Sequence, residues 1–396
     1  MLLHPLAPLV MLLAQALTWV YFHRRIKAKI LKRALLTFFL LINALALFSF
    51  HVLYYSPNPP PNNGFLWDCL CRPVFTYEAV VLFWLPLSAG LRLSRRLLNR
   101  LSAAKGRTIV LRLTKKEPGF FDLPLFVLLA LLLAAGFGYS RQLAPPEITE
   151  RTIRIPGLAP SLQGFKIALL SDLHYGHGYN LRDLTAAMAL TSARQPDLVV
   201  LAGDLCDRLA AFGLDYRLPL SNLNQTTYGV YGVLGNHDLR VDSPPELTEN
   251  LRAAGLKMLV DERVNLPEVP LTLIGFNDRG DDKTRRRDFR LDFSALSGPA
   301  APQGNLVVVV NHRPEGVLDA ANRGTRLFLA GHLHGGQFQF PFFEQANFAS
   351  WILGYEYTSG LYQIGDMTLF VTRGLADGLH FRLFAWPEIA ILTLTG

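Results

Sequence analysis

Two kinds of hydrophobic pattern divide the chain. In the first 140 residues the apolar positions run together in four stretches, roughly 5–22, 34–55, 73–91 and 120–140, each interrupted by few charges. A helix needs about 20 residues to cross ~30 Å of hydrocarbon at ~1.5 Å per residue, so each stretch is long enough to span a bilayer. Core helices of soluble proteins are rarely this long and unbroken, which makes membrane spans the better account. The third stretch contains Glu78 and Pro86, the fourth only Asp122. The opening MLLHP lacks the basic region of a cleavable signal peptide, and the positive cluster follows the first apolar run, so that run is expected to remain as an anchor.

After residue 140 the pattern changes. A proline-bearing segment over 141–153 reads as a linker passing into a first strand near Glu150–Ile155, and a second domain is expected over 154–396. Here short apolar runs (FKIALLS, DLVVLAG, YGVYGVLG, NLVVVV, RLFLAG) alternate with helix-length segments. Uninterrupted apolar runs of this length are what strands buried on both faces look like, and the alternation predicts an α/β domain. The chain carries neither an internal repeat nor a low-complexity tract.

Charge sharpens this division. The chain's net charge of +8 suggests nucleic acid, yet residues 1–150 carry 17 Lys+Arg against 6 Asp+Glu, and residues 151–396 carry 22 against 25. The two parts are therefore +11 and −3. The basic excess borders the apolar stretches: HRRIKAKILKR holds six Lys/Arg and the segment from Arg92 to Glu117 holds nine, whereas residues 56–72 hold one Arg and one Asp. Short basic loops stay cytoplasmic, so the first and third loops are expected inside, both termini outside, and no nucleic-acid partner is expected. Cys69 and Cys71, in the outer loop, are too close for most disulfide frameworks and lack the second pair of a zinc site. A redox pair, a lipidated cysteine and inert thiols remain open for them.

Each strand-like run of the second domain ends in residues of one chemical kind. Asp172 and His174 follow the first, Asp204 the second, Asn236 and His237 the third, His312 the fourth, and His332 and His334 the fifth. In α/β sheets the crevice beyond the strand carboxyl ends collects ligands, which would gather Asp172, His174, Asp204, Asn236, His312, His332 and His334 in one place. Carboxylate, imidazole and amide oxygen without thiolate suit Mn, Fe or Zn, and seven ligands are too many for one tetrahedral ion. Two divalent ions sharing one carboxylate would use them all and leave positions for water and substrate.

In order, the segments SDLHYGH, GDLCD, GNHD, NHRPE and GHLHGGQ resemble the spaced motifs of the calcineurin-like metallophosphoesterase superfamily over about residues 164–396. The tail, with YTSGLY, VTRGLA and WPEIAILTL, resembles that superfamily's membrane-associated bacterial branch. The resemblance implies a four-layer αββα sandwich. It also implies one metal on Asp172, His174, Asp204 and His334, and another on Asp204, Asn236, His312 and His332, with Asp204 bridging. Two cations acidify a shared water enough to supply hydroxide near neutral pH and neutralise phosphoryl oxygens during in-line attack. His237, beside Asn236, is placed to protonate or stabilise the departing oxygen. By resemblance to the Ser/Thr phosphatases, Asp207 would orient His237. Arg208 is suited to clamp a phosphate oxygen, with a surface salt bridge as the plain alternative.

Other features carry less. His177 reads as a loop histidine, Lys283–Arg290 as a solvated basic run, and Gly335-Gly336 as a tight turn or a close approach to the metals. The aromatic stretch 338–357 reads as core, with an acyl-chain groove near the bilayer as the alternative. Together these features predict a multi-pass protein of the bacterial cytoplasmic membrane with a dinuclear phosphoesterase domain on its outer side. A phosphodiester or phosphomonoester of lipid or envelope origin is the expected substrate, and membrane lipids are expected partners. A sugar-nucleotide or lipid pyrophosphatase is a rival that would need a cytoplasmic site. A non-catalytic metal-binding sensor or scaffold is a second rival, which has no need of a leaving-group acid.

Overall fold

The computed structural model divides into two compact units, Met1–Gly138 and Tyr139–Gly396. It describes residues 144–396 apart from 176–178, 207–214, 242, 279–288, 341–342 and 377–381, and in the first unit residues 15–20, 22–23, 29–30, 33, 36–37, 40–44 and 81.

In the first unit the described residues are helical. Gln15 and Thr18 are buried, while Leu17, Leu36, Leu40 and Leu41 are exposed. Among the described residues no helix is long and apolar enough to cross a membrane. The third apolar stretch apart from Val81, the fourth, the loop with Cys69 and Cys71, and most of the first two stretches lie outside the described residues.

The second unit runs in order β1 (Glu147–Arg154), β2 (Lys166–Leu170), α1 (Leu181–Ser192), β3 (Leu198–Ala202), α2 (Arg217–Ser221), β4 (Val230–Val233), α3 (Pro244–Ala253), β5 (Lys257–Met258), β6 (Glu262–Asn265), β7 (Leu271–Phe276), β8 (Leu306–Asn311), α4 (Val317–Ala321), β9 (Leu327–Ala330), β10 (Gln339–Phe340), β11 (Phe343–Asn347), α5 (Phe348–Ile352), β12 (Gly360–Ile364), β13 (Met367–Val371) and β14 (Glu388–Thr395). One mixed sheet has the order β1-β14-β2-β3-β4-β5 and another β12-β13-β9-β8-β7-β6. Strand β1 begins at Glu147, inside the segment read as a linker, because residues 147–154 pair in parallel with 388–395 along the edge of the first sheet.

Period-two alternation positions the layers. In β3, Leu198, Val200 and Ala202 face a core shared with Leu271, Val308 and Leu329 of the second sheet. Val199 and Leu201 face the opposite way, onto Leu184 and Met188 of α1 and Leu251 of α3. The outer face of the second sheet, through Val309 and Phe328, packs on Val317 and Ala320 of α4. Burial on both faces is why these strands read as continuous apolar runs. Helix α1 starts where the Asn180 side chain accepts the Asp183 N–H at 3.0 Å, an N-cap that satisfies an otherwise orphaned donor.

Candidate metal centre

Parallel pairing brings the strand ends to one level. Leu170 of β2 pairs with Leu201 of β3, and Ala202 of β3 with Val233 of β4. In the second sheet Val310 of β8 pairs with Leu329 of β9, and Ala330 of β9 with Val371 of β13. Asp172, Asp204, His312 and His332 each stand two residues beyond such a paired position. The chain turns sharply there: Asp172, His174, Asp204, His332 and His334 have φ of 55°, 42°, 51°, 78° and 49°. They are five of the ten described non-glycine residues with positive φ. Each pays about 1–2 kcal/mol for a left-handed backbone, so half of this strain lies in one place. Gly203 and Gly235 let the turns after β3 and β4 touch, since a methyl on Gly203 would lie 2.8 Å from Gly235 N and from His312 Nδ1.

The side chains form overlapping groups. Asp172, His174 and His334 make one, Asp204, His312 and His332 another, and His174, Asp204 and His237 a third, each with ligand atoms within 4.8 Å of one another. Asp204 Oδ2 stands between the first two groups, 3.1 Å from His312 Nε2 and 3.8 Å from His174 Nε2. His334 Nε2 lies 3.9 Å from Asp172 Oδ1. Two rings are aimed by backbone carbonyls: Ala202 faces His312 Nδ1 at 2.8 Å, and Ala376 faces His334 Nδ1 at 2.9 Å. A carbonyl accepts only from Nδ1–H, which aims Nε2 of both rings at the cluster, where a cation could take its lone pair in place of a proton. His237 is half-buried, its ring edge-on to His174 at 4.7 Å between centroids, and its backbone N–H donates to Asp204 Oδ1 at 2.8 Å.

These residues fit a pair of divalent cations. Among the described residues, Asp172 Oδ1 and Asn236 Oδ1 are buried with no hydrogen-bond partner, a costly arrangement unless a cation takes their lone pairs. Burial alone would raise the Asp204 carboxyl, but the imidazoles of His312, His237 and His174 outweigh it and hold Asp204 well below the usual carboxylate range. Burial would likewise lower His312, yet the charge and hydrogen bond of Asp204 push it up to about 10. Burial and the neighbouring His312 hold His332 well below the ordinary imidazole value.

Asp238 was visible in GNHD without an assigned role. Its carboxylate is buried and accepts the N–H groups of Gly235 (2.8 Å), Cys206 (2.9 Å) and Leu205 (3.1 Å), tying the turns after β3 and β4 together. Asp278 and Arg313 make a further fastening that the sequence did not signal: a 2.6 Å ion pair across the ends of β7 and β8, with the Asp278 N–H on the Leu234 carbonyl at 3.1 Å. Asp207, Arg208, His177 and residues 283–288 lie outside the described residues. Gly335 and Gly336 form a tight turn, and the groups they approach closely are Arg373 and Asn347. The reading of 338–357 as core is corrected in part, because Phe343, Trp351 and Leu353 are 66%, 68% and 50% exposed. The β10–β11 ribbon and α5 carry these residues on a surface, where Phe343 and Trp351 line a groove of about 950 Å³ together with Phe384, Trp386, Glu147 and Arg373.

Residues 165–336 match the family model described as calcineurin-like phosphoesterase. An uncharacterized metallophosphoesterase of Helicobacter pylori strain J99 is 30% identical over 270 residues, which are 67% of this chain and 68% of that protein. Phosphodiesterase YaeI of Escherichia coli K12 is 28% identical over 270 residues, 66% of this chain and 93% of that protein. A Danio rerio protein described as a transmembrane protein with metallophosphoesterase domain is 25% identical over 364 residues, 90% of this chain and 79% of its own length.

Proposed function

The chain belongs to the calcineurin-like phosphoesterase family and is a metal-dependent phosphoester hydrolase; we propose that it is anchored in a bacterial cytoplasmic membrane and cleaves a lipid or cell-envelope phosphodiester on the outer side. The observation that carries the chemistry is Asp204 standing between two ligand groups. In this reading Asp172, His174, Asp204 and His334 hold one cation, and Asp204, Asn236, His312 and His332 hold the other. Bound there, divalent cations such as Mn, Fe or Zn would supply charge neutralisation for the phosphoryl oxygens and the acidity that makes water a nucleophile near neutral pH. The protein's own residues aim the ligands, keep the site at the strand ends and, through His237 on its half-buried edge, supply a proton to the departing oxygen. The name of the E. coli relative supports the diester, and that of the D. rerio relative supports the anchor. Buried Gln15 and Thr18 beside outward leucines also favour helices that face lipid. The groove lined by Phe343, Trp351 and Trp386 is suited to the remainder of an amphiphilic substrate.

The test uses the full chain in detergent. Elemental analysis should find about two transition metals, and the protein should hydrolyse bis-p-nitrophenyl phosphate in Mn²⁺. His237→Ala should keep both metals and lose roughly 10²–10⁴ in rate, the usual scale of general acid catalysis. Full activity in Asp204→Ala would sink the ligand assignment. Reporter fusions after Gly396 should be active outside the membrane, and activity of a cytoplasm-only reporter would overturn the orientation.

A further inference from the structure

We propose that Arg382 is the positioning residue for one half of the metal centre, fastening the turn that seats Asp172 and His334 while the other half rests on separate anchors. The proposal rests on the ligand assignment above. Among the described residues Arg382 is the largest of the fully buried side chains, in an environment where arginine is almost never found without strong partners. Both of its terminal nitrogens donate to backbone carbonyls. Nη1 reaches Arg373 at 2.7 Å, Gly374 at 3.1 Å and Ala385 at 3.3 Å, and Nη2 donates to Ala376. One guanidinium thus gathers residues 373–376 and the approach to β14 around a single planar fork, a geometry that a lysine ammonium cannot reproduce.

Residues 373–376 are the support under one pair of ligands. The Leu375 N–H donates to Ser171 O at 3.0 Å and the Ala376 N–H to Asp172 O at 2.7 Å. Gly374 lies so close under Asp172 that a methyl there would be 2.7 Å from its Cβ and Oδ2. The Ala376 carbonyl faces His334 Nδ1 at 2.9 Å, and Arg382 Nη2 comes within 3.3 Å of the same nitrogen as both converge on that oxygen. Arg382 therefore sets where the Ala376 carbonyl stands, and through it which way His334 Nε2 points. The other half is aimed from elsewhere: His312 by the Ala202 carbonyl of β3, and Asp204 by the His237 N–H. Bonds also cross between the halves, from the His332 N–H to Asp172 Oδ2 at 3.1 Å, the His174 N–H to Asp204 O at 3.0 Å and the Asp172 N–H to Gly203 O at 2.9 Å, so the separation is one of degree.

Groups that orient a metal ligand are worth about 10- to 100-fold in metal affinity. Calorimetric titration of the metal-stripped full chain in detergent with Mn²⁺ alone should resolve two equivalents. In Arg382→Lys one equivalent should bind as in the wild type and the other roughly 10- to 100-fold more weakly. Arg382→Ala, if it folds by circular dichroism, should show the larger loss. In a His334→Ala background, where one of the two seated ligands is gone, Arg382→Lys should cost less metal affinity than it does in the wild type. Equal weakening of both equivalents, wild-type binding of both in Arg382→Lys, or an undiminished loss in the His334→Ala background would each overturn the proposal. A wild-type protein that binds fewer than two equivalents would instead refute the ligand assignment.

Discussion

Removing the Asp238 carboxylate separates two roles that a buried acid in a metal centre can have. Asp238→Ala leaves three buried N–H groups, those of Gly235, Leu205 and Cys206, without their acceptor. At about 1–3 kcal/mol each, the loss is roughly 6 kcal/mol. A relief opposes it. Burial, and then the charge of Asp204, raise the Asp238 carboxyl to about 6. A folded-state value above the ordinary aspartate value of about 3.9 favours folding only at low pH, and that contribution is lost as the pH rises through about 6. At pH 7.5 the ionised group therefore carries roughly 3 kcal/mol of unfavourable burial and repulsion from Asp204 that alanine removes. The net loss is about 3 kcal/mol. Asp238→Asn removes the same charge but keeps an oxygen where Oδ2 serves Gly235 and Leu205, orphaning only the Cys206 N–H, so its net effect should be within about 1 kcal/mol of zero.

Thermal unfolding of the full chain in detergent at pH 7.5, followed by circular dichroism, reads the difference. A unit of about 250 residues loses about 2–4 °C per kcal/mol. Alanine should lower Tm by about 6–12 °C and asparagine by less than about 4 °C. If asparagine were as damaging as alanine, charge and not hydrogen-bond geometry would be what Asp238 supplies, and the reasoning would fail.

Gly235→Ala should lower Tm by several degrees and weaken metal binding, because the added methyl meets the backbone N of Asp204 as well as its carboxylate, and no rotamer change relieves a backbone clash. Elemental analysis and unfolding of the variant check this, and wild-type values for both would refute it. Cation uptake should release a proton in pH-stat titration at pH 7–8. His312, raised to about 10 by Asp204, holds a proton there that a cation must displace, so metal affinity should rise as the pH rises. Uptake with no proton release would contradict the Asp204–His312 pairing.

The parts of the site that were legible in the sequence obey a positional rule. Asp172, Asp204, His312 and His332 follow apolar runs that end abruptly, and the same pairing that makes those runs strands brings their ends level. The fasteners were not legible, because their partners are backbone groups. Nothing in the residue types of Gly235, Leu205 and Cys206 announces that their N–H groups converge on Asp238. Nor do residues 373–376 advertise that their carbonyls converge on Arg382. The edge strand β1 was misjudged in extent for a related reason. EITERTIR has only two apolar residues, and what makes it a strand is a ladder to β14 more than 200 positions away. Phe343 and Trp351 read as core because aromatic content does not distinguish a buried face from a groove wall.

Five residues of the cluster with left-handed backbones carry roughly 5–10 kcal/mol of local strain, comparable to the net stability of ~5–15 kcal/mol of a whole domain. Such turns persist only where the surroundings over-determine them. That requirement explains why the fasteners are charged side chains bound to backbone. A hydrophobic contact would fill space without fixing the direction of a carbonyl or an N–H, whereas charge-assisted hydrogen bonds from Arg382 and to Asp238 fix both. The strain itself has a use. A left-handed residue immediately after a strand turns the chain back within one position, so Asp172 and His174, only two apart, can both enter the cluster from the end of a single strand. An extended continuation would point both side chains to the same face but space them about 6.6 Å apart along the strand, carrying His174 away from the cluster at the strand end.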